Sequence, residues 1–311
     1  MKVTLTSLLR RLAGASALVA LAAVPVQAEL LVYEPFNYDA GSDVFGQNGG
    51  LGFSEAWRGH DNNDANVPAG SFTVVSGSLA HPTQAGDLPT MGNSALLTGE
   101  FGTLQPARSF ASSIGTDGGT TWISYIGQRL GPAQDPATTA PNNPYPRGVN
   151  VSFFDAEHAS RAERTGIGNS SNAADNEWSI IPEGSGGLRE GSGSPFTDLQ
   201  WAVMRIDHVG DSSTGDDYYL WLSPDPTVEP DVGSAAVTIL SGDANSVDAT
   251  GLDFLRPFIG NESSGRPYGV LAMDELRVGT TFADMSAVVP EPTSLALLAL
   301  GAFGVARRRR S

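Results

Sequence analysis

Trp57-Arg58 is followed within six residues by Asp61, Asn62, Asn63 and Asp64, and this short stretch holds the two chemistries the chain is best equipped for. An indole offers a flat apolar face and a guanidinium offers donors, the pairing that can hold a sugar ring while its hydroxyls are oriented. Trp57 and Arg58 are therefore the candidate ligand-binding pair. Side-chain oxygens gathered in one loop suit a hard cation, which makes Asp61 and Asp64 the candidate calcium ligands and Ca2+ the one cofactor to test. Asp216-Asp217 and Asp274-Glu275 are further acidic pairs. GDANSVDATGLDFL at 242–255 spaces Asp243, Asn245, Asp248 and Asp253 like part of a calcium loop, without the glycine turn and the later ligands.

Other chemistries find less. The chain has no cysteine, so thiol nucleophiles and thiolate metal sites are excluded. Its four histidines, His60, His81, His158 and His208, share no ligand spacing, and His208 beside Asp207 reads as a solvent-facing strand residue. There is no Gly-x-Ser-x-Gly elbow and no phosphate-cradling glycine loop between a strand and a helix. Trp122, Trp201 and Trp221 fall inside apolar runs, where packing is the default role. Tyr218 and Tyr219 complete the aromatic supply.

The ends are built differently from the middle. Lys2, Arg10 and Arg11 precede an apolar run from about 12 to 24, and Val26-Gln27-Ala28 then places small residues where signal peptidase reads them. This predicts a secretory signal helix over 1–28, cut between Ala28 and Glu29. At the other end Pro290-Glu291-Pro292 precedes an apolar run from Thr293 to Ala306, and Arg307, Arg308, Arg309 and Arg310 follow. Fourteen residues make about 21 Å of helix, short of the ~30 Å bilayer core. The tail therefore reads as a transient stop in the inner membrane, its arginines held on the cytoplasmic side. Between these ends 33 acids face 11 arginines and no lysine, a charge near −22. That field repels nucleic acid and anionic lipid.

The elements that must position the middle are strands. Apolar and β-branched runs at 30–33, 71–75, 94–98, 120–130, 148–156, 177–181, 199–209, 217–223, 235–240, 252–260 and 270–279 are bounded by turn formers. No twelve-residue helical period occurs between the ends. In the run at 201–209 Ala202, Met204 and Ile206 share one face, with Arg205 and Asp207 on the other, a strand with one buried side. Stretches 61–70, 131–148 and 183–198 read as irregular loops. Eleven or more strands without helices predict an all-β fold of two packed antiparallel sheets, one domain over 29–287, held by its core without disulfides.

Two resemblances add to this. Residues 288–311, with Pro-Glu-Pro, apolar helix and arginine cluster in order, resemble a PEP-CTERM sorting signal. This implies an exported protein of a Gram-negative bacterium, cut by a membrane exosortase and delivered to the cell surface or extracellular matrix. The blocks YEPFNYDAGSDVFGQNGGLGFSEAW (33–57), TWISYIGQRL, VNVSFFDAE, VMRIDHV and MDELRVGTTFADM (273–285) resemble exported concanavalin A-like (LamG-type) domains, which implies a jelly-roll sandwich. The resemblance implies that laminarinase-type glycosidases of that fold carry Glu-x-Asp-x-x-Glu, a carboxylate pair for retaining hydrolysis. Here Glu229-Pro230-Asp231 runs on to Ser234, so the pattern is broken.

The reading is a non-enzymatic surface or matrix protein that binds polysaccharide, with signal peptidase and exosortase as partners during export. The alternatives are a glycan-active hydrolase or lyase on the same sandwich, and a matrix protein with no specific ligand.

Overall fold

The structure is a computed structural model that describes residues 30–83, 86–98, 103–130, 148–155, 163–169, 176–182, 190–209, 213–260 and 269–287. The predicted signal helix with its Ala28–Glu29 cut, the loop at 131–147 and the sorting tail with its helix lie outside the described residues.

In chain order the strands are β1 (Leu30–Glu34), β2 (Arg58–Gly59), β3 (Phe72–Val75), β4 (Pro82–Thr83), β5 (Gly86–Asp87), β6 (Ser94–Thr98), β7 (Pro106–Ile114), β8 (Thr120–Leu130) and β9 (Val149–Phe154). They continue with β10 (Glu163–Asn169), β11 (Glu177–Ile180), β12 (Glu190–Pro195), β13 (Gln200–Asp207), β14 (Asp217–Leu222), β15 (Val237–Ile239), β16 (Leu252–Ile259) and β17 (Val270–Gly279). One short helix, α1 (Phe282–Ser286), follows. The first sheet runs β15-β14-β13-β8-β17-β6-β3 with β1 also on β17, and the second runs β12-β11-β10-β9-β16-β7-β2. The pairings are antiparallel, and crossovers such as β8 between β13 and β17 give the two-sheet sandwich that the patterning predicts, of the jelly-roll kind that the resemblance implies.

Alternation explains the core. Ala202, Met204 and Ile206 of β13, Ile123 and Tyr125 of β8 and Leu220 of β14 face Val149, Val151 and Phe153 of β9 and Trp178 and Ile180 of β11 in one buried cluster. Each large apolar side chain so buried contributes about 1.5–3 kcal/mol. The outer face of β13 departs from the one-sided expectation. Trp201 and Val203 join Trp122, Ile126 and Trp221 in a second cluster, covered by Leu88 and by Phe282 and Met285 of α1.

A bulge in β17 lets that strand serve two neighbours on one edge. Met273 and earlier residues pair with β6, while Leu276 to Gly279 pair with β1. Glu275, between them, takes the left-handed conformation at φ 52°, and the register against β8 shifts there. The bulge brings buried Asp274 and Glu275 to bear on covering segments. Asp274 accepts from Ser78 Oγ and from Leu79 N (2.8 Å), while Glu275 accepts from Tyr33 Oη (3.0 Å) and Arg277 Nη2 (2.7 Å). The pair read as calcium-ready acids instead ties Ser78, Leu79, Met91 and β1 to the sheet. Residues 190–195, read within a loop, form edge strand β12, whose Gly and Ser side chains give no apolar signal.

Candidate functional site

The corner around Trp57 is an internal staple. Trp57 is 1% exposed, stacks with Phe36 at 6.2 Å and meets Phe72 edge-on at 5.3 Å. Its indole therefore has no face to offer a sugar, which corrects the expectation of an exposed ring. Its Nε1 donates to Glu34 at 3.0 Å, and Glu34 also receives Tyr38 Oη (2.8 Å), Phe36 N (3.0 Å) and Arg108 Nη1 (2.6 Å). Arg108 continues to Gly49 O (2.7 Å), Asn48 Oδ1 (3.1 Å) and Glu55 O (2.8 Å), and its guanidinium lies 3.9 Å from the Phe53 ring centre. Burial pushes the Glu34 pKa up, opposed by Arg108 and by the Trp57 and Tyr38 hydrogen bonds. The aromatic block 33–57 is thus wound around one buried ion pair.

Arg58 is engaged by Glu55 (2.8 Å) and Ser109 (3.3 Å). Asp64 accepts from Gly59 N at 3.3 Å, while Asp61 lies 3.4 Å from His60 Nδ1, so the two predicted calcium ligands turn to separate partners. A Cβ on Gly59 would sit 2.1 Å from Asn63 O, so the chain can pass here only as glycine. Among the described residues no group of three or more His, Asp or Glu could hold a metal ion. The acids of 242–255 disperse likewise. Asp243 accepts from Leu240 N (2.8 Å), Asp248 from Thr250 N (3.0 Å) and Asp253 from Ser113 Oγ, and Asn245 donates to Glu190 (2.8 Å).

Two histidines meet hydroxyls that their sequence positions do not announce. His208 is buried, against the solvent-facing expectation, and its partner is Asp216 at 3.0 Å from Nδ1, with Thr121 Oγ1 2.9 Å from Nε2. The order hydroxyl, imidazole, carboxylate is that of a catalytic triad, yet all three residues are at most 2% exposed, so no substrate reaches it. Asp216 also accepts Ala249 N at 2.9 Å, and the set pins three chain segments together. His81 lies 3.1 Å from Ser223 Oγ, but that hydroxyl donates to Gln200 Oε1 at 2.6 Å, leaving no proton for a base to take.

The half-buried end of the aromatic ladder is a different matter. On the outer face of the first sheet, register aligns Thr238 of β15, Tyr219 of β14, Arg205 of β13 and Trp122 of β8 in one row. Asp217, Asp207 and Thr120 form the next. Tyr219 stacks on Trp221 at 6.1 Å and 25°, and Trp221 stacks on Trp122 at 5.7 Å and 21°. The buried tryptophans fix the plane of a ring that remains partly open to solvent. Arg205 donates to Asp207 (2.8 Å) and Glu229 (3.3 Å) and lies 5.6 Å from the Trp122 ring centre. Burial alone would lower the Arg205 pKa; the hydrogen bond and charge of Asp207 outweigh it and raise it. Tyr219 is raised, by burial first and then by Asp217 and Asp207.

Thr238 continues this face into an open cleft of about 340 Å3, where the edge strands β12 and β15 approach, lined also by Glu190, Ile239, Asp243, Ala244 and Asn245. The arrangement offers one fixed aromatic face, hydroxyls, an amide and carboxylates. That chemistry suits a polyhydroxylated ligand. Tyr219 and Asp217 were visible in the sequence as neighbours. Arg205, Asp207 and Thr238 come to them only through strand register.

Residues 288–310 match the family model described as PEP-CTERM protein-sorting motif. The chain carries that sorting signal at its C-terminus. No curated protein matches the chain. Among solved structures, the globular domain of T. cruzi calreticulin is similar over 81% of this chain and 88% of its own, at 10% identity and TM-score 0.44. Domain 4 of AbnA, a GH43 extracellular arabinanase from Geobacillus stearothermophilus solved with arabinotriose, is similar over 84% and 99%, at 14% identity and TM-score 0.38. The Emp47p carbohydrate recognition domain is similar over 72% and 94%, at 7% identity and TM-score 0.37. The two-sheet antiparallel sandwich is legible in this chain's own strand order. The sorting signal implies export to the surface or beyond. Among the described residues no helix is long and apolar enough to cross a membrane, and the tail lies outside them.

Proposed function

We propose that this is a non-enzymatic, exported surface or matrix protein that binds polysaccharide through the Tyr219 face. Its signal segment is removed after Ala28, its tail is held briefly in the inner membrane, and an exosortase cuts near Pro290-Glu291-Pro292. The single observation that carries the binding reading is the Tyr219 ring, braced from beneath by Trp221 and flanked by Arg205, Asp207, Asp217 and Thr238. The Arg205 charge is already matched by Asp207 and Glu229, so the site as a whole is negative. A neutral or amine-bearing glycan fits that field, and a polyuronate is repelled. The non-enzymatic reading rests on the same geometry. Asp207 is held by Arg205 and Thr120, and Asp217 accepts Ser241 N at 2.7 Å, so both carboxylates serve to hold side chains and backbone.

Calorimetry of the secreted protein against the producer's exopolysaccharide tests the reading. Saturable binding is expected, weakened about tenfold in Tyr219→Ala and kept in Tyr219→Phe, with no release of reducing ends. Flat traces from folded wild-type protein would remove the binding claim, and accumulating oligosaccharides would overturn the non-enzymatic one.

A further inference from the structure

The folded domain grips its own chain up to the last described residue. Asp284 accepts Thr280 N (3.0 Å), Thr281 N (2.8 Å) and Thr281 Oγ1 (2.9 Å), which starts α1, and Phe282 and Met285 are buried against Trp122 and Trp201. Gly279 is required for this, since a Cβ there would lie 2.5 Å from Asp284 Cβ. Ser286 Oγ then donates to Pro226 O at 2.7 Å, and Arg277 Nη1 to Ala287 O at 2.6 Å. Arg277 is itself 1% exposed and paired with Glu275, so the final contact is anchored in the sheet.

Only Val288 and Val289 separate this latch from Pro290. Three Cα steps of 3.8 Å place Pro290 within about 11 Å of Ala287. A protease aligns its target bond by gripping residues on both sides of it. The residues it would grip ahead of the Pro-Glu-Pro include Ser286 and Ala287, which the body already holds. We propose that the latch formed by α1, Arg277 and Pro226 controls tail processing: the docked body holds Ser286 and Ala287, which the membrane protease must grip, so it acts on chains whose last helix has undocked. This rests on reading the Pro-Glu-Pro as the processing site. Cleavage then follows the population of the undocked form. Release would come before the C-terminal segment finishes docking, and the end of the sandwich bearing α1 is the surface that meets the protease.

The test uses the full chain in detergent micelles with a proline-specific endopeptidase as probe, cuts being mapped by mass spectrometry. Three chains are compared: wild type, a six-residue Gly-Ser spacer inserted after Ala287, and Phe282→Ala. Cleavage after Pro290 or Pro292 is expected to be at least tenfold faster with the spacer, which leaves the latch intact, and to rise in Phe282→Ala. Equal rates for wild type and spacer would overturn the proposal whatever Phe282→Ala does. In the producing cell, pulse-chase should show the spacer precursor shortened sooner, and equal shortening would also overturn it. If no chain is shortened in the cell while the micelle difference stands, the latch holds as proposed and the sorting reading is the one that fails.

Discussion

The Trp57 corner and the Tyr219 face contain the same ingredients. Each joins an aromatic ring to an arginine and a carboxylate, and each sits near a sheet edge. At the corner the guanidinium of Arg108 is 1% exposed and its donors go to Glu34, to the Asn48 side chain and to the backbone of Gly49 and Glu55. At the face Arg205 keeps its side chain partly in water, and Tyr219 is braced on one side only. The difference lies in what covers them. The corner is wrapped by a long irregular segment that needs an internal anchor, while among the described residues no such segment covers Tyr219 on the outer face of β14. An aromatic ring, an arginine and a carboxylate become a staple or a platform according to that cover.

The contrast breaks most visibly if the corner is mutated. Removing one partner of a buried ion pair leaves the other uncompensated, so Arg108→Ala is expected to cost about 3–5 kcal/mol, read as a fall in the urea midpoint. Trp57→Ala should cost a similar ~3–5 kcal/mol through the cavity it leaves. Tyr219→Ala should leave the midpoint within about 1 kcal/mol. If Trp57→Ala unfolds normally late and abolishes glycan binding, the two regions have been assigned the wrong way round.

Buried carboxylates extend the contrast to pH. Asp274 is pushed up to about 8 from 3.8, by burial first and then by Glu275, against the hydrogen bonds from Ser78 and Leu79. Glu275 and Tyr33 are the ionisable groups coupled to it, and Glu275 is in turn held by Tyr33 and Arg277. Between pH 4 and 8 the folded state holds a proton that the unfolded chain has lost, so stability falls as pH rises through that window and levels off above it. The slope is bounded at about 1.4 kcal/mol per pH unit. Asp274→Asn should flatten it, and urea titrations at pH 5, 6, 7 and 8 that keep the wild-type slope would show that another group carries the dependence.

Much of this architecture is legible in the sequence. Each of the eleven apolar stretches becomes a strand, because β-branched and aromatic residues between turn formers specify a pleated, half-buried segment. The strands that escape reading escape for physical reasons. β7 opens on Pro106 and places Arg108 in a buried position, β10 alternates Gly166 and Gly168 with its core residues, and β12 is Gly and Ser at an edge. Trp57 packs on Phe36 and Phe72 and donates to Glu34, whose charge is matched by Arg108 of β7, so missing β7 hides the ion pair that belongs with the buried indole. Likewise Arg205, Asp207 and Thr238 reach Tyr219 by register across three strands, which no local spacing encodes.

At the face itself effects should be smaller and confined to binding. Tyr219→Ala is expected to weaken polysaccharide affinity about tenfold, or ~1.4 kcal/mol, with the fold intact. The smallest effect should come from the one predicted ligand residue that is neither core nor platform. Arg58 meets Glu55, whose pKa burial would raise but the hydrogen bonds from Arg58 and Ser109 hold below the usual carboxylate range. That interaction stabilises the fold above the unfolded pKa of Glu55 and is lost as pH falls through the lowered folded value. Partly exposed pairs of this kind contribute about 0.2–1 kcal/mol. Arg58→Ala should therefore shift the urea midpoint slightly at pH 7, shift it less at pH 3.5, and leave glycan binding unchanged. A tenfold loss of affinity in Arg58→Ala would instead put the ligand at the corner, and with it the comparison on which the Tyr219 assignment stands.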